Sequence, residues 1–344
     1  MADGLTPELV TTITHVQQAS AILSLIGCAF IISTFSLCKA FHKPINRMVF
    51  FASFANVFAS SSYLLVGVVD MPDSFGCQFQ AAMLQAFVAS DVFWTTAMAV
   101  NVYLTFYHRF DAERLRRLDV PYFLVCYLVP MIPAITYIFV RNEQGHRIYG
   151  SAILWCWITP EFGYLRIATF YGPIWALILI TLAIYVRSGA TIYKKRRQLM
   201  KVQDSNANMS SNNMANTVSK TTEVTVTHDG VGFDMVGHEA SAKSMSSAEK
   251  GQRAPKKPRQ GTRAVNRAAW QYTRCALLFF IVILITWIPS SANRLYSMVN
   301  PGETSVVLHF MGAAVLPLQG FWNAIIYGVT SWSACKSLLK RGPA

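Results

Sequence analysis

The chain has 344 residues, of which 53% are hydrophobic and only 14% charged, against about 25% charged in an ordinary soluble domain. So little polar surface cannot cover the chain in water, which excludes an ordinary soluble globular protein. A formal net charge of +13 would suit a nucleic-acid partner, but the positions of the charges argue for a membrane face instead.

A bilayer core about 30 Å thick needs roughly 20 apolar helical residues to cross it. Runs of that length occur at Ala19–Cys38, Met48–Val69, Phe79–Phe106, Tyr122–Val140, Ile167–Val186, Cys275–Ala292 and Val306–Val329. They predict an all-α, seven-transmembrane helix bundle. No basic residue precedes the first run and no small-residue cleavage site closes it, so it reads as a retained span behind an extracellular segment, 1–18. Residues 19–197 then hold helices 1 to 5 and residues 264–330 hold helices 6 and 7.

Residues 198–263 are rich in Ser, Thr, Asn, Lys and Met. Such composition buries too little apolar surface to offset chain entropy, and predicts a disordered third cytoplasmic loop. Beyond the seventh run, in segment 331–344, Trp332, Cys335, Leu338 and Leu339 stand at helical spacing opposite Lys336, Lys340 and Arg341. That pattern predicts a short amphipathic helix on the inner leaflet, with Cys335 a palmitoylation candidate.

Orientation follows from the basic residues. With the N-terminus outside, only Arg141, Arg147, Arg166 and Arg294 of the 30 Lys and Arg fall on outer segments. The rest lie on the cytoplasmic side, and the short inner loops alone show the same bias. The chain therefore reads as a multi-pass plasma-membrane protein with anionic lipids, not nucleic acid, against its basic face.

Of seven cysteines, only Cys77 and Cys156 are placed toward the oxidising side, which predicts a disulfide pinning the second outer loop over the bundle. Asp91 is the one acid well inside a span, near the membrane midplane. An ionised carboxylate there costs about 2.5–3.5 kcal/mol, so it should face inward and find partners; Asn56, Asn101, His309, Gln319 and Asn323 are available. It is either a ligand counter-ion or switch element, or a hydrogen-bonded core residue. Trp287 and Pro289 mark a kink in the sixth span, and Asn323 and Tyr327 share one face of the seventh at i, i+4. At the inner ends, Arg109, Lys194, Lys195, Arg196, Arg197, Arg267 and Arg274 form a basic rim. It would anchor helices to anionic lipid at about 1 kcal/mol per charge, and would also suit a cytosolic partner.

These features resemble a G-protein-coupled receptor, and more nearly the fungal and amoebal cyclic-AMP receptor-like class than rhodopsin-type receptors. The likeness rests on Cys156-Trp157, on the stretch from Trp287 to Arg294, and on Gln319-Gly-Phe-Trp-Asn-Ala-Ile-Ile-Tyr-Gly328. Departures from the rhodopsin type are Phe106-Tyr-His-Arg109-Phe, without an acidic-Arg-Tyr triplet, and Asn323 without a following proline. The resemblance implies coupling to a heterotrimeric G protein and a nutrient-sensing or cyclic-AMP-related role. With so short an outer segment, a small molecule bound in the bundle is the expected ligand.

The alternatives are a small-solute transporter or channel, and a retinal protein. A retinal protein needs a buried lysine for its Schiff base, and no lysine occurs between Gly302 and Ser333. Neither an enzyme nor a cofactor is suggested, since no nucleophile–base pair, metal cluster or phosphate loop is visible.

Overall fold

The computed structural model describes residues 6–65, 71–143, 145–152, 154–191, 260–300 and 305–340, with the backbone path alone at 260–272 and 339–340. The chain divides into two units, one of Met1–Thr191 with Val265–Ala344 and one of Ile192–Ala264. The first unit is the helical bundle. Nearly all of the second, and with it the predicted third loop, lies outside the described residues.

Helix α1 spans Pro7–Leu37, about 46 Å at 1.5 Å per residue. It starts twelve residues before the apolar run because Thr6 caps it, accepting from the Leu9 amide, and Pro7 opens its first turn. Much of the expected outer segment is therefore helix. Helix α2, Pro44–Tyr63, begins and ends earlier than the run at Met48–Val69. Pro44 supplies its start, and its polar residues Asn46, Ser53, Asn56, Ser60 and Ser62 are all buried. Six helices of the bundle are long and apolar enough to cross a membrane by composition; α2 is the seventh, less apolar because it turns those groups inward.

Helix α3, Phe75–Tyr107, is the central element and is buried along most of its length. A short turn of helix at Ala112–Arg117, capped by Asp111, leads into α4, Asp119–Phe139. Two strands follow, β1 (Tyr149–Ser151) and β2 (Cys156–Ile158), paired antiparallel with Ser151 opposite Cys156.

Helix α5 covers Pro160–Thr191 and contains a π-turn at Ile167–Tyr171. Gly172 closes that turn, and a Cβ there would sit 2.7 Å from the Ile167 carbonyl oxygen. Only glycine fits so close a backbone approach. Helix α6 is Gln260–Val299, with Pro289 inside it. Helix α7, Val306–Thr330, is broken by a 3-10 turn at Leu316–Leu318. Helix α8, Trp332–Lys340, follows at once, as the amphipathic spacing predicts.

Helices α1 and α7 meet at small residues. A Cβ on Gly320 would lie 2.5 Å from both Cys28 Sγ and Ser24 Oγ, and the Gly320 amide donates to Ser24 Oγ at 3.1 Å. Such close backbone approach is how helices associate where no hydrophobic effect drives them together. The result is a seven-transmembrane helix bundle with a short amphipathic helix after it.

Candidate functional site

The deepest polar cluster is built around Asp91 of α3, which is 3% exposed. Its Oδ1 accepts from Asn56 Nδ2 at 3.0 Å and from Asn323 Nδ2 at 2.8 Å. Two of the five sequence-named partners therefore reach it. Asn101 instead accepts from Tyr122 Oη at 2.9 Å and faces Met48 Sδ at 3.0 Å. Gln319 is buried with its amide nitrogen unpartnered among the described residues, and His309, half-buried, keeps an unpartnered Nδ1. Tyr327 does not reach the carboxylate either. Its hydroxyl lies 3.1 Å from Thr34 Oγ1, and its ring stacks on Phe41 at 5.3 Å.

Cys77 and Cys156 are joined, with Cα atoms 5.2 Å apart. The bond fastens the β1–β2 hairpin to α3, and glutamines on α3 satisfy the hairpin's polar groups. Gln80 Oε1 accepts from the Cys156 amide and Gln85 Oε1 from Trp157 Nε1, each at 2.8 Å. The Gln78 amide nitrogen donates to the Tyr149 carbonyl at 3.0 Å. Burial also holds the Tyr149 hydroxyl well above the ordinary tyrosine range.

Beneath the hairpin, Trp157, Phe170, Tyr171 and Trp287 form one aromatic group, with Phe170–Trp287 at 5.6 Å and Tyr171–Trp287 at 6.2 Å. Trp287 is 1% exposed and lies two residues before Pro289. The Tyr171 hydroxyl stands 3.0 Å from Ser290 Oγ, so the π-turn of α5 is in direct contact with α6 beside Pro289.

Two arginines that the sequence reading left in outer segments lie within helices here. Arg166 is 6% exposed; its Nε and Nη2 both donate to the Ile158 carbonyl, and its guanidinium sits 5.3 Å from the Trp157 ring. Arg294 lies 5.9 Å from the Tyr171 ring, its Nε unpartnered among the described residues. Two carboxylates at this end are engaged elsewhere, Asp73 with Arg147 and Glu161 with His146. No carboxylate pairs with Arg166 or Arg294 among the described residues. The signal available in the sequence was an arginine abutting an apolar run with no acid beside it.

At the opposite end Arg109 closes α3 with φ of 54°, a left-handed conformation uncommon outside glycine. Arg274 is exposed. Lys194, Lys195, Arg196 and Arg197, and the side chain of Arg267, lie outside the described residues. Arg47 pairs with Asp119 at 2.5 Å, and Asn46 Nδ2 donates to Ser331 Oγ at 2.9 Å, tying α2 to α4 and to the α7–α8 junction. Cys335 is half-buried, its Sγ 3.7 Å from the Gly328 carbonyl, and burial raises its thiol above the usual range.

Seven helices, a disulfide from the third to the following hairpin, a sixth helix with Pro289 inside it and a trailing amphipathic helix are compatible with the G-protein-coupled receptor class to which the family comparison assigns the chain. A family profile described as "Slime mold cyclic AMP receptor" matches residues 7–210, more than half of the chain, and the chain belongs to that family. It is 23% identical to "G-protein coupled receptor 1" of Arabidopsis thaliana over 95% of this chain and 81% of that protein. It is also 23% identical to "Cyclic AMP receptor-like protein A" of Dictyostelium discoideum, over 52% of this chain and 45% of that one. Human "G-protein coupled receptor 157" is 27% identical over 45% of this chain and 46% of its own length. Among solved structures, squid rhodopsin superposes with a TM-score of 0.62, covering 98% of this chain and 87% of that one at 12% identity. So distant a likeness speaks for the fold alone. Membership of a receptor family sets aside the transporter reading and agrees with the expectation that the chain is not an enzyme.

Proposed function

We propose that the chain is a plasma-membrane receptor with its N-terminus outside the cell. A small anionic molecule binds at the disulfide end of the bundle, and the opposite end then engages a heterotrimeric G protein. The positive-inside bias and the need of a disulfide for an oxidising compartment support the orientation.

The observation that carries the ligand class is the pair Arg166 and Arg294, set against the rings of Trp157 and Tyr171. A buried guanidinium is costly without counter-charge, and Arg166, 6% exposed, has no carboxylate partner among the described residues. An anion supplies that charge, and the surrounding rings accept a flat body. The family is named for a receptor of cyclic AMP, a molecule that joins a phosphate to an aromatic base. A nutrient anion of similar build meets the same groups.

Transmission starts at Trp287, packed on Phe170 and Tyr171. Proline at 289 removes a backbone bond from α6 and frees one half to swing. A ligand shifts the bundle only as far as it binds the two states differently. Asp91, Asn56, Asn323 and Tyr327 are the groups that re-bond as α7 moves, and Gln319 and His309 stand on the same helix. Arg109, Arg274, Arg267 and Lys194 to Arg197 belong to the rim that meets the G protein and anionic lipid, and Cys335 is the lipidation candidate.

The test is nucleotide exchange on a purified Gα subunit by the receptor in nanodiscs, with cyclic AMP, AMP and neutral adenosine as probes. Acceleration by an anionic probe and none by adenosine is expected. No acceleration by any probe or by variants at Asp91 and Trp287 would sink the reading.

A further inference from the structure

Tyr107, the last residue of α3, is half-buried and meets the last described turn of α5. Its hydroxyl donates to the Arg187 carbonyl at 3.1 Å and stands 2.7 Å from Thr191 Oγ1. Its ring lies 5.3 Å from the Arg187 guanidinium, within cation–π range. Tyr103, one turn back on α3, supports the ring from 4.8 Å. One side chain therefore holds α5 through a backbone carbonyl, a hydroxyl and a charge.

That turn of α5 has few other ties. From Leu182 to Thr191 only Tyr185 and Ser188 are buried, and a Cβ on Gly189 would meet nothing within 4 Å. No carboxylate pairs with Arg187 among the described residues. A helical turn with so little packed side chain opens at low cost unless a neighbouring element fixes it. Tyr107 fixes it from α3.

We propose that Tyr107 is a positioning residue for G-protein engagement. It clasps the inner end of α5 to α3, and so fixes the base from which the basic run Lys194 to Arg197 continues three residues past Thr191. This rests on the receptor reading above, in which that run belongs to the rim that meets the G protein. The sign follows from preorganisation: a surface whose base is already fixed loses less freedom on docking. The clasp therefore tightens the hold on the partner and leaves the exchange rate of the docked complex alone. A clasp that held the inner end shut would act in the opposite sense.

The experiment measures nucleotide exchange against rising Gα concentration, with the full chain in nanodiscs and cyclic AMP as probe. Tyr107→Phe loses the hydroxyl and keeps the ring; it should raise the half-saturating Gα concentration about fivefold, the fold-change of one hydrogen bond. Tyr107→Leu loses the ring as well and should raise it about tenfold or more. The rate at saturating Gα should not change. Thr191→Val should raise the half-saturating concentration alone but add nothing to Tyr107→Phe, as expected of residues in contact. Without any Gα, amide hydrogen exchange at residues 188–191 should quicken about fivefold in Tyr107→Phe. An unchanged or lower half-saturating concentration overturns the proposal, as do additive effects of the two substitutions. Unchanged amide exchange overturns the clasp itself and leaves the receptor reading standing. A parent protein that drives no Gα at all sinks that reading, and the proposal with it.

Discussion

Asn323 of α7 donates its amide proton to Asp91 of α3 at 2.8 Å, on the same carboxylate oxygen that Asn56 of α2 reaches at 3.0 Å. One buried atom thus joins three helices, and its removal leaves two amides facing each other with nothing to accept their protons.

Asp91→Ala should therefore lower stability by about 2–4 kcal/mol, the cost of orphaning two buried donors together with the lost contacts. Asp91→Asn keeps an acceptor oxygen and should lose about 1 kcal/mol. Thermal-unfolding midpoints of the purified variants in detergent give the order. Midpoints that are equal in the two variants would show that the donors find other partners. A changed Gα exchange rate in Asp91→Asn, with its fold intact, separates a switch from a packing role.

The seven apolar runs were legible because bilayer thickness imposes a length on each helix, and the start of α8 was legible from its spacing. Helix ends were not. Hydropathy tracks side chains, whereas the start of α1 at Pro7 is set by Thr6 and the ring of Pro7. Charge misleads for the same reason. Arg166 reads as an outer-segment residue, yet its long side chain reaches the Ile158 carbonyl from within a helix. The depth of Asp91 could be counted along α3, but the rotation of each helix could not. Asn56 and Asn323 reach it, while Asn101, about 15 Å further along α3, turns to Tyr122. The hairpin has strands of three residues each, too short for an alternating pattern to announce.

Cutting the Cys77–Cys156 bond should loosen the hairpin more than its size suggests, since the two residues are 79 apart in sequence. Cys156→Ser is expected to cost about 2–4 kcal/mol in a chain-entropy account. Partial retention of the hairpin is also expected, because Gln80 and Gln85 still hold its amide and indole groups. Limited proteolysis around Tyr149 checks it, and cleavage no faster than in the parent protein would count against a structural role for the bond.

Arg109 sits in a backbone conformation that glycine adopts without steric cost. Arg109→Gly should therefore leave stability unchanged or raise it by up to about 1 kcal/mol, whereas β-branched Arg109→Val should lower it by about 1–2 kcal/mol. If the guanidinium also meets the G protein, Arg109→Gly slows exchange while the unfolding midpoint does not fall. Loss of stability in the glycine variant would instead place the value of Arg109 in its side-chain contacts.

Arg166→Gln and Arg294→Gln separate recognition from folding. Neither guanidinium faces a carboxylate among the described residues, so neutralising either breaks no ion pair. Arg294, whose Nε lacks a partner among the described residues, loses the fewer contacts. Arg294→Gln should keep or raise the unfolding midpoint while weakening the response to an anionic probe about tenfold or more, the order of one charge-assisted hydrogen bond. Arg166→Gln gives up two donations to the Ile158 carbonyl and should weaken both response and fold. Basal exchange without a probe serves as the control; an equal loss of basal and probe-driven exchange would mean that Arg294 shapes the fold without reading charge.

Gly320 is where α7 comes closest to α1. An added methyl group would meet Cys28 Sγ and Ser24 Oγ at 2.5 Å and Asn56 Cβ at 3.2 Å; Ser24 Oγ is held by the Gly320 amide and Ser60, and both Ser24 and Cys28 are buried. Gly320→Ala should thus push the helices apart and cost about 1–3 kcal/mol as overpacking. The strain also falls on Asn56, one of the two donors to Asp91, so the same change should alter Gα exchange without touching the disulfide end. Cys28→Ala removes the sulfur that blocks the new methyl, and in the Gly320→Ala background it should return part of the lost stability. That non-additivity is expected only of residues in contact. Independent, additive effects of the two substitutions on the unfolding midpoint would mean that α1 and α7 do not meet at this point.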